Sequence, residues 1–351
     1  MLEKLIFQLA MRQPLADAQV RAAVEQLTDE KVSTAAKADF LAALAQKGET
    51  PGEIAAFAHA LQDRSIPLPL DPAWRNTHEI LDVVGTGGDR LGTFNISTAA
   101  ALVCAAAGVP VAKHGNRAVT SQAGSADVLE ALGVRIDLTP PDAARSLQER
   151  RFAFFFAPAW HPAFKHIAPA RKLCAERGQR TIFNYLGPLL NPARPSAMLV
   201  GVPRPELCEP LARVLQSLGI RRAMVVCGKV QAPGAKAQSA IDELSTLGEN
   251  TIAEFYQERG FAVSTLPPTQ FPLQDAALAD LVGSDRHTNA EIIRRIFRGE
   301  ERGPKRDVVL LNTAAALFVA GKTRSLAEGW DLAGRTIDSG HAHAKLKELT
   351  R

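Results

Sequence analysis

The chain is poor in cysteine, close to charge balance and without a long apolar run. Cys104, Cys174, Cys208 and Cys227 are its only cysteines and show no CxxC pairing. That spacing leaves reduced structural thiols, which suit a reducing compartment, and gives no thiol-based metal or redox motif. Lys plus Arg number 41 against 37 Asp plus Glu, a net charge of +4 over 351 residues, so composition does not argue for a nucleic-acid partner. The basic stretch RRIFRGEERGPKR (294–306) is diluted by acids and reads as a solvated helix end. The most apolar run, 99–112, is broken by Gly108 and Pro110 and is too short to cross a bilayer. Glu3 and Lys4 stand where a leader would carry its apolar core. These features predict a soluble, cytoplasmic protein with no membrane and no nucleic-acid partner.

What is present is a change of periodicity along the chain. Up to about residue 70 the segments LEKLIFQLA, ADAQVRAAVEQL and AKADFLAALAQ place apolar residues three and four apart, the helical period. Thr50-Pro51-Gly52-Glu53 predicts a helix start, with Thr50 as cap, Pro51 in the first turn and Glu53 at the third position. The proline-rich stretch 67–74 reads as a connector. Beyond it short apolar strands alternate with helices: ILDVV, VPVAKHG, VRIDL, FAFFFAP, SAMLVGVP and RRAMVVCG are strand candidates. STAAALVCAAAG, SADVLEALG and ELCEPLARVLQSLG are helix candidates between them. This alternation predicts an α/β fold with a mostly parallel central sheet flanked by helices, plus a smaller all-helical N-terminal domain. The stretch 229–240 reads as a polar surface loop.

Four constellations carry chemistry. VVGTGGDRLGTFNIST (83–98) is an apolar strand, a glycine loop and a helix start, the build of a phosphate cradle. Its glycines miss both the Rossmann and the Walker spacing, since Arg90 stands where GxGxxG needs its last glycine and no Lys follows. Asp89 would repel a bare phosphate, though it suits a sugar hydroxyl or the neighbourhood of a metal-bound anion. Ser97 reads equally well as a plain helix cap. KHGNRAVTSQAGSAD (113–127) sets further anion donors between a strand and a helix, with Ser125 placed to cap that helix; His114 by itself also reads as a core histidine. Two such loops at the carboxyl ends of parallel strands point to a phosphorylated sugar. The adjacent acids Asp242 and Glu243 offer hard oxygens to Mg²⁺. WHPAFKHIAPARKL (160–173) offers a cationic helix face, from which Arg171 can grip a carboxylate in bidentate fashion.

GTGGDRLGTFNIST, KHGNRAVTSQAGSADVLEALG, HPAFKHIAPAR, RTIFNYLGPLLNPA and IDELS, in that order, closely resemble the anthranilate phosphoribosyltransferase family of tryptophan biosynthesis. The resemblance extends over nearly the whole chain. It implies a helical domain over 1–70 with a helical excursion near 163–186, an α/β domain over 71–351, an active site in the cleft between them and a homodimer through the helical domain. It implies phosphoribosyl pyrophosphate, carried on Mg²⁺, as donor and anthranilate as acceptor. By that resemblance the donor is held by Gly85, Gly88, Asp89, Thr93, Asn95, Ile96, Ser97 and Thr98 of the first loop. In the second it is held by Lys113, His114, Gly115, Asn116, Arg117, Ala118, Val119, Thr120, Ser121 and Ser125. Gly85, Asn116 and Arg171 match the anthranilate site, and Ser97, Asp242 and Glu243 the metal positions. Lys113 is the group expected to offset charge growing on the leaving pyrophosphate; no general base is assigned, and His114 is only a candidate for one.

The chain departs from the family pattern in two places. Gln122 and Ala123 stand where the family usually has SSKSGSAD, which removes a lysine and a serine hydroxyl. The loop before IDELS is long, and Ala240 replaces a common glycine. A nucleoside phosphorylase on the same architecture and a nucleic-acid-binding relative without catalysis are the rival readings. The first is disfavoured by the KHGNR loop, the second by the modest charge and the nearly complete substrate loops.

Overall fold

The computed structural model describes residues 1–118, 122–230, 239–257 and 259–350. Four helices open the chain: α1 (Leu2–Ala10), α2 (Asp17–Thr28), α3 (Thr34–Lys47) and α4 (Pro51–Gln62). The start of α4 is the expected capping box. Thr50 Oγ accepts from the Glu53 N–H at 3.2 Å, Glu53 accepts in return from the Thr50 N–H at 2.9 Å, and Pro51 occupies the first turn. The connector is not wholly irregular, because Asp71 caps a short helix α5 (Pro72–Thr77). Then follow β1 (Leu81–Gly85), α6 (Ile96–Ala106), β2 (Val111–Gly115), α7 (Ser125–Leu132), α8 (Pro140–Arg150), β3 (Phe152–Phe156), α9 (Ala157–Trp160), α10 (Ala168–Glu176) and α11 (Phe183–Leu186). The remaining elements are β4 (Ala197–Gly201), α12 (Cys208–Ser217), β5 (Arg222–Val230), β6 (Ser239–Ile241), β7 (Asn250–Tyr256), β8 (Gly260–Leu266), α13 (Leu278–Leu281), α14 (Arg286–Phe297), α15 (Pro304–Val319), α16 (Leu326–Asp338) and α17 (His341–Leu349).

The sheet runs β3-β2-β1-β4-β5-β7-β8, with β6 paired to β5. Its first five strands are parallel, whereas β6, β7 and β8 are antiparallel additions. The chain winds outward from β1 to β3 and then returns to lay β4 on the other side of β1. The topological switch point therefore lies between β1 and β4, where open α/β sheets bind ligands. Strand alternation divides the core. Leu81, Val83, Val111, Leu199, Met224 and Val226 pack under α6 and α15, while Met198, Val200, Ala223 and Val225 share a second core with α12 and the N-terminal helices. The stretch between β3 and β4 leaves the sheet and rests on those helices: α10 packs on α3 and α11 on α4.

Two expectations change. The 134–138 segment buries Val134 and Ile136 but bends at Ile136 and pairs with no strand. The polar stretch 229–240 begins and ends in β5 and β6, and its middle, 231–238, lies outside the described residues. The antiparallel β7–β8 pair is an addition to the strands that the apolar pattern predicts. The basic stretch 294–306 is partly paired with acids in and beyond it, Arg298 with Glu291 and Glu300, Arg306 with Asp338. All four cysteines are free and buried. Among the described residues no helix is long and apolar enough to cross a membrane.

Candidate active site

The glycine loop leaves β1 at the switch point, and the Thr86 N–H donates to the Gly201 carbonyl at the end of β4 (2.9 Å). It coils through left-handed conformations at Gly87, Gly88 and Gly92, with φ of +74°, +94° and +68°, which glycine adopts freely. Arg90 holds φ +60° between them as a non-glycine. Asp89 folds back on the loop, its Oδ1 accepting from the Leu91 N–H at 3.1 Å. Thr93 forms an antiparallel bridge with Val282. Ile96 and Thr98 are sealed from solvent, so of these two only main-chain groups can meet a ligand.

Asp242 and Glu243 come from the turn after β6, which crosses over the ends of β1, β4 and β5. The crossing needs glycines beneath it. A Cβ at Gly85 would strike the Asp242 carboxylate, one at Gly201 the Asp242 carbonyl, and one at Gly228 the Ser245 side chain. Asp242 Oδ2 accepts from the Gly87 N–H at 2.6 Å. Glu243 Oε1 accepts from the Ser97 N–H at 3.1 Å, so Glu243 caps α6 and Ser97 does not. Both acids are half-buried in this crowd. Desolvation, reinforced by the Asp89 and Glu243 charges, pushes Asp242 well above the usual carboxylate range. Burial raises Glu243 to about 7 against the pull of Lys113.

Alternation along β2 sends Lys113 and His114 to opposite faces. Lys113 is 1% exposed; its Nζ donates to the Val83 carbonyl (2.6 Å) and to Ser97 Oγ (3.4 Å), beneath the start of α6. Its ammonium is thus not open to solvent, and it acts on the loop from below. His114 faces the other way, edge-on to the His161 ring at 5.3 Å. Burial, with His161 and Lys113 nearby, pulls His114 down to about 3, which makes it a poor base.

The second loop is corrected at two residues. Gly124 rather than Ser125 caps α7, because Asp127 accepts from both the Gly124 and Ala118 N–H groups at 2.9 Å. A Cβ at Gly124 would collide with the main chain of Asn116 and Ala118, so only glycine fits there. Arg117 is turned away: its guanidinium is held by Glu130 (2.6 Å) and Asp127 (3.0 Å) and lies over Phe156. Gly115 and Asn116 remain at the cavity, and Ser125 Oγ reaches the Asn116 carbonyl at 3.5 Å. Val119, Thr120 and Ser121 lie outside the described residues.

On the His114 side opens a cavity of about 630 Å³. Gly85, Asn116, Lys165 and Arg171 supply its polar wall, and Phe164 and Phe183 much of its apolar one. Arg171 stands over the Phe183 ring at 5.1 Å. The cationic stretch is not one helix: α9, a 3₁₀ turn over Pro162–His166 and α10 divide it. The breaks turn Lys165 and Arg171 into the cavity and bury His161, while Lys172 points outward.

Three buried asparagines outside the four constellations also build the site. Asn312, in the apolar helix α15, accepts from the Leu244 N–H (3.0 Å) and donates to the Leu244 carbonyl (2.9 Å), fixing the residue after the acid pair. Asn250 does the same for Ser245. Asn191 donates to Asp82 (2.8 Å) and to the Ala112 carbonyl (2.7 Å) below the cavity floor. A lone Asn inside DVVLLNTAAALF was the available signal, since such a group is buried only with partners.

The helical bundle domain of a glycosyl transferase family matches residues 3–65, and the a/b domain of that family matches residues 77–343. The anthranilate phosphoribosyltransferase of Petrotoga mobilis is 46% identical over 327 residues, 93% of this chain and 90% of that protein. This chain belongs to the anthranilate phosphoribosyltransferase family. Among solved structures, the family's enzyme from Thermus thermophilus matches with a TM-score of 0.85 at 42% identity, covering 98% of both chains. The Saccharomyces cerevisiae enzyme in complex with PRPP and Mg matches with a TM-score of 0.84 at 26% identity, covering 99% of this chain and 96% of that one.

Proposed function

We propose that the chain transfers the phosphoribosyl group of 5-phosphoribosyl 1-pyrophosphate (PRPP) to the amine of anthranilate, giving N-(5-phosphoribosyl)anthranilate and pyrophosphate. The observation that carries this reading is the meeting, at one switch point, of a glycine loop, a half-buried acid pair and a cavity walled by Arg171. In it the donor lies along Gly85, Gly88, Asp89, Thr93, Asn95 and Ser97 and the main chain of Lys113 to Ala118, and anthranilate fills the cavity with its carboxylate on Arg171 and its ring against the edge-to-face pair Phe164 and Phe183. The amine lone pair attacks C1 of the ribose while the C1–O bond breaks and its electrons leave with pyrophosphate, and the cationic nitrogen so formed gives up one proton to water or to the departing pyrophosphate. An aromatic amine is unprotonated at neutral pH, so no strong base is needed, and His114 shapes the wall. Lys113 supplies positive charge from beneath Ser97 as the leaving group gains negative charge. Holding both partners in line supplies much of the remaining acceleration.

Among the described residues no group of three or more His, Cys, Asp or Glu can hold a metal unaided. The residues present nonetheless fit Mg²⁺ brought in on the donor's pyrophosphate. Asp242, Glu243 and Ser97 offer hard oxygens, and the acids are crowded enough that a cation relieves their repulsion. When bound, the cation would neutralise pyrophosphate charge.

The same reading includes a division into a helical unit over 1–70, with its excursion near 163–186, and an α/β unit over 71–351. It also includes a cytoplasmic homodimer joined through the helical unit. Met1, Phe7 and Met11 at α1 support the last point, being 63%, 72% and 63% exposed, an apolar face suited to a second copy. The deciding experiment follows anthranilate fluorescence with PRPP and Mg²⁺, using Arg171→Ala beside the parent. Metal-dependent loss of signal, with a raised anthranilate KM in the variant, is expected; no loss from folded parent protein refutes the assignment.

A further inference from the structure

Asn95 stands where the glycine loop enters α6, and both ends of its amide are engaged. Its Nδ2 donates to the Ala123 carbonyl in the second loop at 3.1 Å, and its Oδ1 accepts from Asn289 Nδ2 at 3.0 Å. Asn289, in the first turn of α14, is 2% exposed, and its own Oδ1 accepts from the Ser284 N–H at 2.8 Å. The two ends of a side-chain amide are nearly alike in shape, so partners decide which way each faces. Here they decide it from both sides, because a main-chain N–H can only donate and a carbonyl can only accept. The chain from Ser284 through Asn289 and Asn95 to Ala123 therefore has one workable polarity.

The segment carrying Asn289 also grips the loop through its main chain. The Phe94 N–H donates to the Leu281 carbonyl (3.1 Å) and the Gly283 N–H to the Gly92 carbonyl (2.8 Å), on either side of the Thr93–Val282 bridge. A Cβ at Gly283 would press on both Asn289 Oδ1 and the Phe94 main chain, so the brace is tightly fitted.

We propose that Asn289 is a positioning residue for the phosphoribosyl donor. By fixing the Asn95 amide it joins the two phosphate loops and leaves the second Nδ2 hydrogen of Asn95 as a donor toward an oxygen of PRPP. This rests on the reading of Asn95 as a donor contact.

The test compares Asn289→Asp and Asn289→Ala in steady-state assays with each substrate varied, alongside calorimetric binding of Mg·PRPP alone and near-UV circular dichroism to verify folding. A carboxylate at 289 still accepts from Ser284 but cannot donate to Asn95. It forces Asn95 to turn its oxygen against the Ala123 carbonyl, whereas alanine leaves Asn95 anchored at one end. Asn289→Asp is expected to raise the PRPP KM and Kd roughly tenfold or more. Asn289→Ala should raise them less, and the anthranilate KM should not move in either. A packing role gives the reverse order, since Asp nearly matches Asn in volume and Ala does not. That order, or equal rises for both substrates, overturns the proposal. Asn95→Ala is run in parallel. If it leaves the PRPP KM unchanged, the reading of Asn95 as a contact fails; if it raises the KM while Asn289→Asp does not, the positioning role alone falls.

Discussion

Replacing His161 by Gln should produce a stability cost that shrinks on acidification. The His161 ring is 4% exposed, only the Leu190 main chain offers its buried nitrogens a hydrogen bond, and it packs edge-on against His114 and Phe164. Burial pulls its pKa from 6.5 down to about 4. The folded state thus prefers the neutral ring, while the unfolded chain takes up a proton below pH 6.5. Stability from this residue is complete above pH 6.5 and is lost as pH falls toward 4. The whole span of 2.5 units is worth about 3.4 kcal/mol, and the part between pH 7.5 and 5.0 about 2 kcal/mol. Asp82 and Glu243, raised to about 6 and about 7, pull the opposite way over the same range and mask the effect in the parent's own profile. The difference between parent and variant cancels these acids and leaves His161 together with its effect on the neighbouring His114, which stays neutral in the folded protein over this range. Urea unfolding followed by tryptophan fluorescence should show the cost of His161→Gln falling by about 2 kcal/mol from pH 7.5 to 5.0. A cost equal at both pH values would refute the argument, as would a ¹³C-labelled His161 that titrates near 6.5 in the folded protein.

Gly201→Ala pushes a methyl group into the Asp242 carbonyl, main chain that cannot yield as a flexible side chain can. It should cost about 1–3 kcal/mol in denaturant unfolding and abolish the thermal stabilisation that Mg·PRPP gives the parent. Asn312→Leu strands the buried Leu244 N–H and carbonyl and should destabilise by roughly 2–4 kcal/mol, read in the same unfolding assay. Lys37 is 2% exposed and its Nζ donates to the carbonyls of Asp29 (2.7 Å) and His166 (2.8 Å), tying α3 to the turn that carries Lys165. Lys37→Met should raise the anthranilate KM several-fold more than the PRPP KM.

The parts of the fold most legible in sequence were those where local chemistry and global position agree. Thr50 and Glu53 make their capping box because every partner lies within one turn. The strand-to-helix loops after β1 and β2 were readable because glycine and short polar residues interrupt apolar runs there. Pattern failed where it was silent about partners. The alternation in 134–138 correctly reported one buried face, yet alternation says only which side chains meet a core and not that a neighbour completes a ladder. Ser125 has the right chemistry for a cap, but the close approach of Asn116 and Ala118 gives that position to Gly124. Asn289 and Asn312 act on residues 194 and 68 positions distant, which no local window can pair.

The opposite facing of Lys113 and His114 has an evolutionary consequence. One step along β2 separates the wall that meets the acceptor cavity from the charge that lies beneath the phosphate loops. On the proposed assignment, substitutions that reshape the cavity's far wall, at Lys165, Arg171 or Phe183, leave the grip on the ribosyl donor intact. Acceptor choice can then drift among descendants of this fold while the donor half is inherited unchanged.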